Sequence, residues 1–279
     1  MKKQSCIFGL ILTAVILFDS SMIIRLQNTA KIFHLLDEED TSECLRTQSM
    51  EAKWLPVLQE MAEGQSEYSV YEYITAQLLT GEEDQKALEA YLNLTRRYKK
   101  EAWERLVRIE EAVWRDLVYF PIPLSETGNF TTSFENSWMS ARTFGGNRGH
   151  EGTDIMASFK ERGHYPVVSM TDGTVEKIGW LPQGGYRIGI RAKHGGYFYY
   201  AHLYDYAEGL AEGNRVKAGE LLGFMGDSGY SEIEGTVGNF DVHLHVGIYY
   251  NEEDGTEVSV NPYHVLRWLK GKQLLYWYE

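Results

Sequence analysis

The sequence predicts an N-terminal transmembrane helix, then an α-helical region, then a mostly-β antiparallel domain, with boundaries at residues 1–24, 25–125 and 126–279. Three observations predict this. An uncharged run from Cys6 to Phe18 follows Lys2 and Lys3. Of the 27 glycines only Gly64 and Gly81 fall within residues 25–125, and 24 follow residue 125. Glycine weakens helices and serves turns, so the two stretches cannot share an architecture. Apolar residues recur at steps of three, four or seven before Pro121 and alternate in short runs after Pro123. With 279 residues, 43% of them apolar, the chain is long enough to bury a core and is not a disordered polymer.

The first element is the membrane segment. About 20 apolar residues span a bilayer, a length reached over residues 4–24 when Asp19 sits near the outer interface. The small residues that precede a signal cleavage site are missing, which favours an uncleaved anchor over a removed signal. The positive-inside rule keeps Lys2 and Lys3 in the cytoplasm and puts the rest of the chain outside. The expected product is a single-pass cell-membrane protein with its β-rich domain extracytoplasmic, or a secreted one if the segment is cut.

Helices are predicted over residues 56–63, 70–80 and 83–119, with Gly64 and Gly81 as C-caps. In the third, Leu88, Tyr91, Tyr98, Ala102, Leu106, Ile109, Val113 and Leu117 make one apolar face. About 37 residues at 1.5 Å each would form a rod of roughly 55 Å. Such a rod is either a spacer or a hairpin packed on itself or a second copy, open to self-association or an envelope-protein partner. Pro121 and Pro123 stop it. Beyond them, VVSM, RIGIRA, YFYYAHL, LLGFMG and DVHLHVGIYY read as strands separated by glycine turns, which fits an antiparallel sheet or sandwich.

The net charge is -13 and both halves share the acidic excess, which argues against nucleic-acid binding, since that needs a cationic face. Cys6 and Cys44 are the two cysteines. With the first inside the membrane segment, one soluble thiol remains and forms no intramolecular disulfide.

Seven of the eight histidines lie at or after His150. His243 and His245 are two apart, so on a strand they share one face while Val242, Leu244 and Val246 take the other. His150 and Asp154 are four apart, about 13 Å along a straight strand, whereas two ligands of one zinc lie only about 3.3 Å apart. Gly149 and Gly152 permit the bend this requires. Two histidines from HxH and the His and Asp of HxxxD exceed the three ligands of an open zinc site, and spacing leaves open which histidine stays free for proton chemistry. His202 stands ready to join it from the end of another strand. His164, His194 and His264 fit no motif and read as ordinary surface or turn residues.

The order HEGTD at 150–154, YAH at 200–202 and HLH at 243–245 resembles the lysostaphin-type zinc endopeptidases of bacterial cell walls. TDGTV from Thr171, GNRVKAG from Gly213, LGFMGDSG from Leu222 and Asn261-Pro262 resemble them too. The likeness covers residues 130–268. It implies a duplicated hybrid motif-like β fold with a narrow groove, zinc held by His150, Asp154 and His245, and a catalytic pair formed by His202 and His243. It also implies peptidoglycan peptide stems or cross-bridges as substrate and zinc-bound water as nucleophile. The rival expectation is a non-enzymatic envelope scaffold or activator that keeps the fold and binds wall or a division or sporulation partner; the intact set of five residues speaks for the enzyme. A third reading has the helical arm occluding the groove.

Overall fold

The computed structural model describes residues 38–64 and 66–278, with isolated positions between residues 13 and 26. The predicted membrane segment otherwise lies outside the described residues. Among the described residues no helix is long and apolar enough to cross a membrane.

Among residues 38–123, five helices precede the strands: α1 (Glu38–Thr47), α2 (Trp54–Glu63), α3 (Val70–Thr80), α4 (Gln85–Tyr98) and α5 (Lys100–Trp114). Local chemistry fixes several ends. Ser69 and Glu72 close a reciprocal capping box at the start of α3, which ends at Gly81 in the left-handed region, φ 66°. Asp84 caps α4 by accepting from the Ala87 N–H.

The structure corrects the single long rod. The chain leaves helical geometry at Lys99, φ -139° and ψ 40°, splitting residues 83–119 into α4 and α5. The reason is tertiary, because both halves pack on α3. One α3 carboxylate holds the two sides of the break: Glu72 accepts from Arg96 of α4 at 2.7 and 2.8 Å and from Trp103 Nε1 of α5 at 3.3 Å.

The strands are β1 (Leu124–Ser125), β2 (Thr132–Ser133), β3 (Ala141–Arg142), β4 (Arg148–Gly149), β5 (Thr153–Ala157), β6 (Pro166–Val168), β7 (Gly173–Leu181), β8 (Gly185–Ala192), β9 (Tyr197–Tyr206), β10 (Arg215–Val216), β11 (Leu221–Met225), β12 (His243–Asn251), β13 (Glu257–Val260) and β14 (Leu275–Tyr276); a short helix α6 (Tyr263–Leu269) precedes the last. The main sheet runs β10-β7-β8-β9-β12-β5-β2 with antiparallel neighbours, and the short β1–β14 pair is parallel.

Strand β9 forks this sheet. Its first half, Tyr197 to Ala201, pairs with β12, and its second half, Leu203 to Tyr206, pairs with β11. The β8 register slips across the same place, where Tyr186 faces Leu203 but Ile188 faces Tyr200. That is a bulge, which bends a strand and re-aims a side chain.

On one face of β12 and β9, Leu244, Val246, Ile248, Phe198 and Tyr200 are buried. Helix α5 packs against β12. Its end reaches the β8–β9 turn, where Ala112 O lies 2.2 Å from where a Cβ on Gly196 would stand, so that turn needs glycine. Helix α1 is tied to β13 by Arg46, whose Nε donates to Ser259 O at 3.1 Å and whose carbonyl accepts from Asn261 N at 2.7 Å.

Candidate metal centre and groove

The other face of the sheet carries the chemistry. In the β12–β5 ladder His245 stands opposite Asp154, and in the β12–β9 ladder it stands opposite Ala201. His150 lies just after β4, and the chain turns through Glu151 and Gly152 before entering β5. A Cβ on Gly152 would lie 2.3 Å from His245 Cε1, so the bend works only without a side chain there.

The turn brings three donor atoms together. His150 Nε2 is 3.1 Å from Asp154 Oδ1 and 3.0 Å from His245 Nδ1, and His245 Nδ1 is 2.9 Å from the same oxygen. His150 Nδ1 faces the Ser137 carbonyl at 3.3 Å and its hydroxyl at 3.0 Å. A carbonyl can only accept, so Nδ1 carries the proton and Nε2 keeps its lone pair for a cation. Lone pairs converging at this range repel unless a cation or a shared proton lies among them. His150, Asp154 and His245 therefore fit a metal ion.

His202 and His243 flank this centre, their rings 4.7 Å apart. His202 Nδ1 lies 2.8 Å from Ser228 O, and His243 Nδ1 lies 2.7 Å from Asp241 O. Each therefore donates from Nδ1 and leaves Nε2 as acceptor; His243 Nε2 lies 3.8 Å from Asp154 Oδ1. His202 occupies the fork of β9 with φ 62°, the left-handed region that side chains other than glycine seldom adopt. Its own N–H donates to Gly184 O at 2.8 Å.

Burial sets the electrostatics. Burial opposes ionisation of Asp154, but the imidazoles of His150 and His245 outweigh it and hold the carboxyl well below the usual carboxylate range. For His202, burial and then the nearby His243 and His245 push the ring well below the ordinary imidazole value, so it is neutral near pH 7. Burial also lowers His245, against the pull of Asp154.

A groove of about 400 Å³ opens over the centre, with His150, Asp154, His202 and His245 in its wall. Its lining comes from residues 148–257, none of them from helices α1 to α5.

Spacing missed several supporting residues. Arg142 Nη2 donates to Asp154 Oδ2 at 3.1 Å, which leaves Oδ1 to face the imidazoles. Tyr230 sits at the groove, 5.8 Å from the His202 ring and stacked on Phe144 at 5.0 Å. Nothing in the motif spacing marks Arg142, Ser137 or Tyr230. His194 lies in the β8–β9 turn, in keeping with its reading as a turn residue, and there it ties the turn to the end of α5, its backbone N–H donating to Asp116 at 2.8 Å and its Nδ1 lying 2.7 Å from the same carboxylate. His164 stacks on Phe130 at 6.0 Å, and His264 is half-buried in α6.

Residues 148–262 match the model of Peptidase family M23. The crystal structure of LytM from Ruminococcus gnavus ATCC 29149 is 40% identical and covers 89% of this chain and 99% of that one, with a TM-score of 0.72. The chain belongs to peptidase family M23. It is thus a hydrolase of the metalloendopeptidase class, and the LytM match extends beyond the sheet into the helical region. The L-Ala–D-Glu endopeptidase of Bacillus subtilis (strain 168) is 44% identical over 150 residues, 53% of this chain. The M23 chain spans 42% of the length of that curated relative. The catalytic domain of lysostaphin from Staphylococcus simulans is 26% identical over 50% of this chain and 93% of that one, with a TM-score of 0.37.

Proposed function

We propose that this M23 protein is a zinc endopeptidase that cuts the peptides of cell-wall peptidoglycan, at the bond named for its Bacillus subtilis relative, between L-Ala and D-Glu. The observation that carries the proposal is the convergence of His150 Nε2, Asp154 Oδ1 and His245 Nδ1 within 3.1 Å beside two histidines with free Nε2 acceptors. Two imidazoles and one carboxylate match the borderline-soft preference of zinc, which when bound would polarise the scissile carbonyl and make a water molecule acidic near neutral pH.

The chain's own residues do the rest. His202 and His243 each hold Nε2 toward the centre with the proton fixed on Nδ1. One accepts the proton of the attacking water, and the imidazolium so formed returns a proton to the leaving amine. The neighbouring ring, when a second proton on its Nε2 makes it an imidazolium, donates to the oxyanion of the tetrahedral intermediate. Arg142 holds the far oxygen of Asp154 throughout. Residues 1–24 anchor the chain with the groove outside the cell, a proposal supported by Lys2, Lys3 and the uncharged run behind them.

The test is mass spectrometry of muropeptides released from purified walls by the zinc-loaded full-length protein, together with its zinc content. The expected result is a new free amine on D-Glu, abolished in His245→Ala together with stoichiometric zinc. Full turnover by His245→Ala with undiminished metal would overturn the assignment.

A further inference from the structure

Among the described residues, two groove arginines each bury a side-chain nitrogen without a hydrogen-bond partner. In a chain with net charge -13, three arginines near the groove and its flanks are matched: Arg142 with Asp154, Arg162 with Asp227, and Arg191 with Glu176. Arg148 and Arg187 both line the groove, yet Arg148 Nε and Arg187 Nη1 are buried without a hydrogen-bond acceptor. A buried guanidinium nitrogen left without an acceptor is costly, so two of them in one cleft form a site that wants an anion.

Their placement says where that anion lies. Arg148 is two residues before His150, at the start of β4. Arg187 is on β8, opposite the bulge that carries His202, since the register passes from Tyr186–Leu203 to Ile188–Tyr200 around it. Both act electrostatically on the Tyr199 hydroxyl in the groove wall, placing both guanidinium groups in one neighbourhood. They therefore approach the reacting centre from two strands.

We infer that Arg148 and Arg187 form a clamp for a free carboxylate on the residue that supplies the leaving amine. The inference rests on the endopeptidase reading above. Glutamate carries two carboxyl groups and continuing the chain uses only one, so a D-Glu on the amine side of the scissile bond presents a carboxylate beside it. Guanidinium suits that partner because its planar fork can give two parallel charge-assisted hydrogen bonds. The clamp makes the enzyme selective for glutamyl over glutaminyl substrates, which differ only in that charge.

The test uses two synthetic peptides containing the L-Ala–D-Glu bond, with amidated C-termini so that no terminal carboxylate competes. In one the spare glutamyl carboxyl is free, and in the other it is a carboxamide. Zinc-loaded full-length protein is expected to favour the acid in kcat/KM by roughly tenfold to a hundredfold, the worth of one or two hydrogen bonds to a charged group. The ratio should collapse toward one in Arg187→Gln, fall in Arg148→Gln, and recover in part in Arg187→Lys. Equal cleavage of both peptides by the wild type, or a preference that survives both glutamine variants, overturns the clamp and leaves the endopeptidase reading standing. Failure to release any peptide from whole walls overturns that reading and the clamp with it.

Discussion

His202 combines three properties that seldom meet in one residue: it is buried, it is neutral near pH 7, and its backbone sits at φ 62°. A left-handed conformation at a position other than glycine costs on the order of 1 kcal/mol and persists only where surrounding structure imposes it. Here the imposition comes from Gly184 O on the backbone and Ser228 O on the ring, at 2.8 Å each. Asparagine tolerates this backbone region but cannot accept and release a proton as imidazole does. His202→Asn is therefore expected to keep its fold and its metal while kcat falls by about 10² to 10⁴, the usual worth of general acid–base help. Steady-state kinetics paired with elemental analysis checks this, and loss of metal in parallel with activity would count against a proton-transfer role.

Helix α5 contains a carboxyl that the chemistry does not use. Glu110 is fully buried and accepts from Gln48 Nε2 at 3.0 and 2.9 Å, while Gln48 Oε1 accepts from Trp114 Nε1 at 2.9 Å. Burial pushes its pKa up to about 8, only partly offset by the hydrogen bonds of Gln48 and Trp114. Between its unfolded value near 4.5 and about 8 the folded state holds a proton that the unfolded chain has lost. Stability from this group is therefore complete below pH 4.5 and is lost as pH rises toward 8, by at most roughly 4–5 kcal/mol at about 1.4 kcal/mol per unit. Thermal melts should accordingly show Glu110→Gln gaining on the wild type between pH 5 and pH 8, and parallel profiles would contradict this account. Such elements also show what a sequence discloses. The periodicity of α4 and α5 and the alternation of β8, β9 and β12 are visible because they are local patterns. The break at Lys99 is not, because no glycine or proline marks it and the Glu72 carboxylate that bonds both sides of it is distant in sequence. HxH and HxxxD could be read as candidate donors because a strand places alternate residues on one face and glycines permit a bend. The roles of Arg142, Ser137 and the fork at His202 depend on register between strands, which motif spacing does not encode.

At the scale of the whole molecule, the helices buttress the sheet rather than hold it at a distance. Trp114 of α5 meets Trp268 of α6 edge to face at 6.0 Å, Ala112 lies on Gly196, Asp116 holds the β8–β9 turn, and Arg46 holds β13. Strand β12, which carries His243 and His245, has α5 packed against it, so its register is supported from outside the β-rich half. Since none of the groove lining comes from helices α1 to α5, occlusion by the arm has no structural footing among the described residues. The two ideas predict opposite results for a fragment of residues 126–279. An occluding arm would make the fragment more active than the full chain. A buttress makes it less stable: deleting side chains such as Ala112, Trp114 and Leu117 uncovers the apolar groups they pack on, Trp268 among them, and forfeits several kcal/mol at about 1.5–3 kcal/mol for a large apolar group. With a shift of about 2–4 °C per kcal/mol for a unit of this size, the melting temperature should drop by roughly 10 °C or more. The expected outcome in calorimetry and wall-digestion assays is thus a fragment that melts earlier and, below its transition, releases peptides no faster than the full-length enzyme. A gain in turnover on removing the helices would refute the buttress.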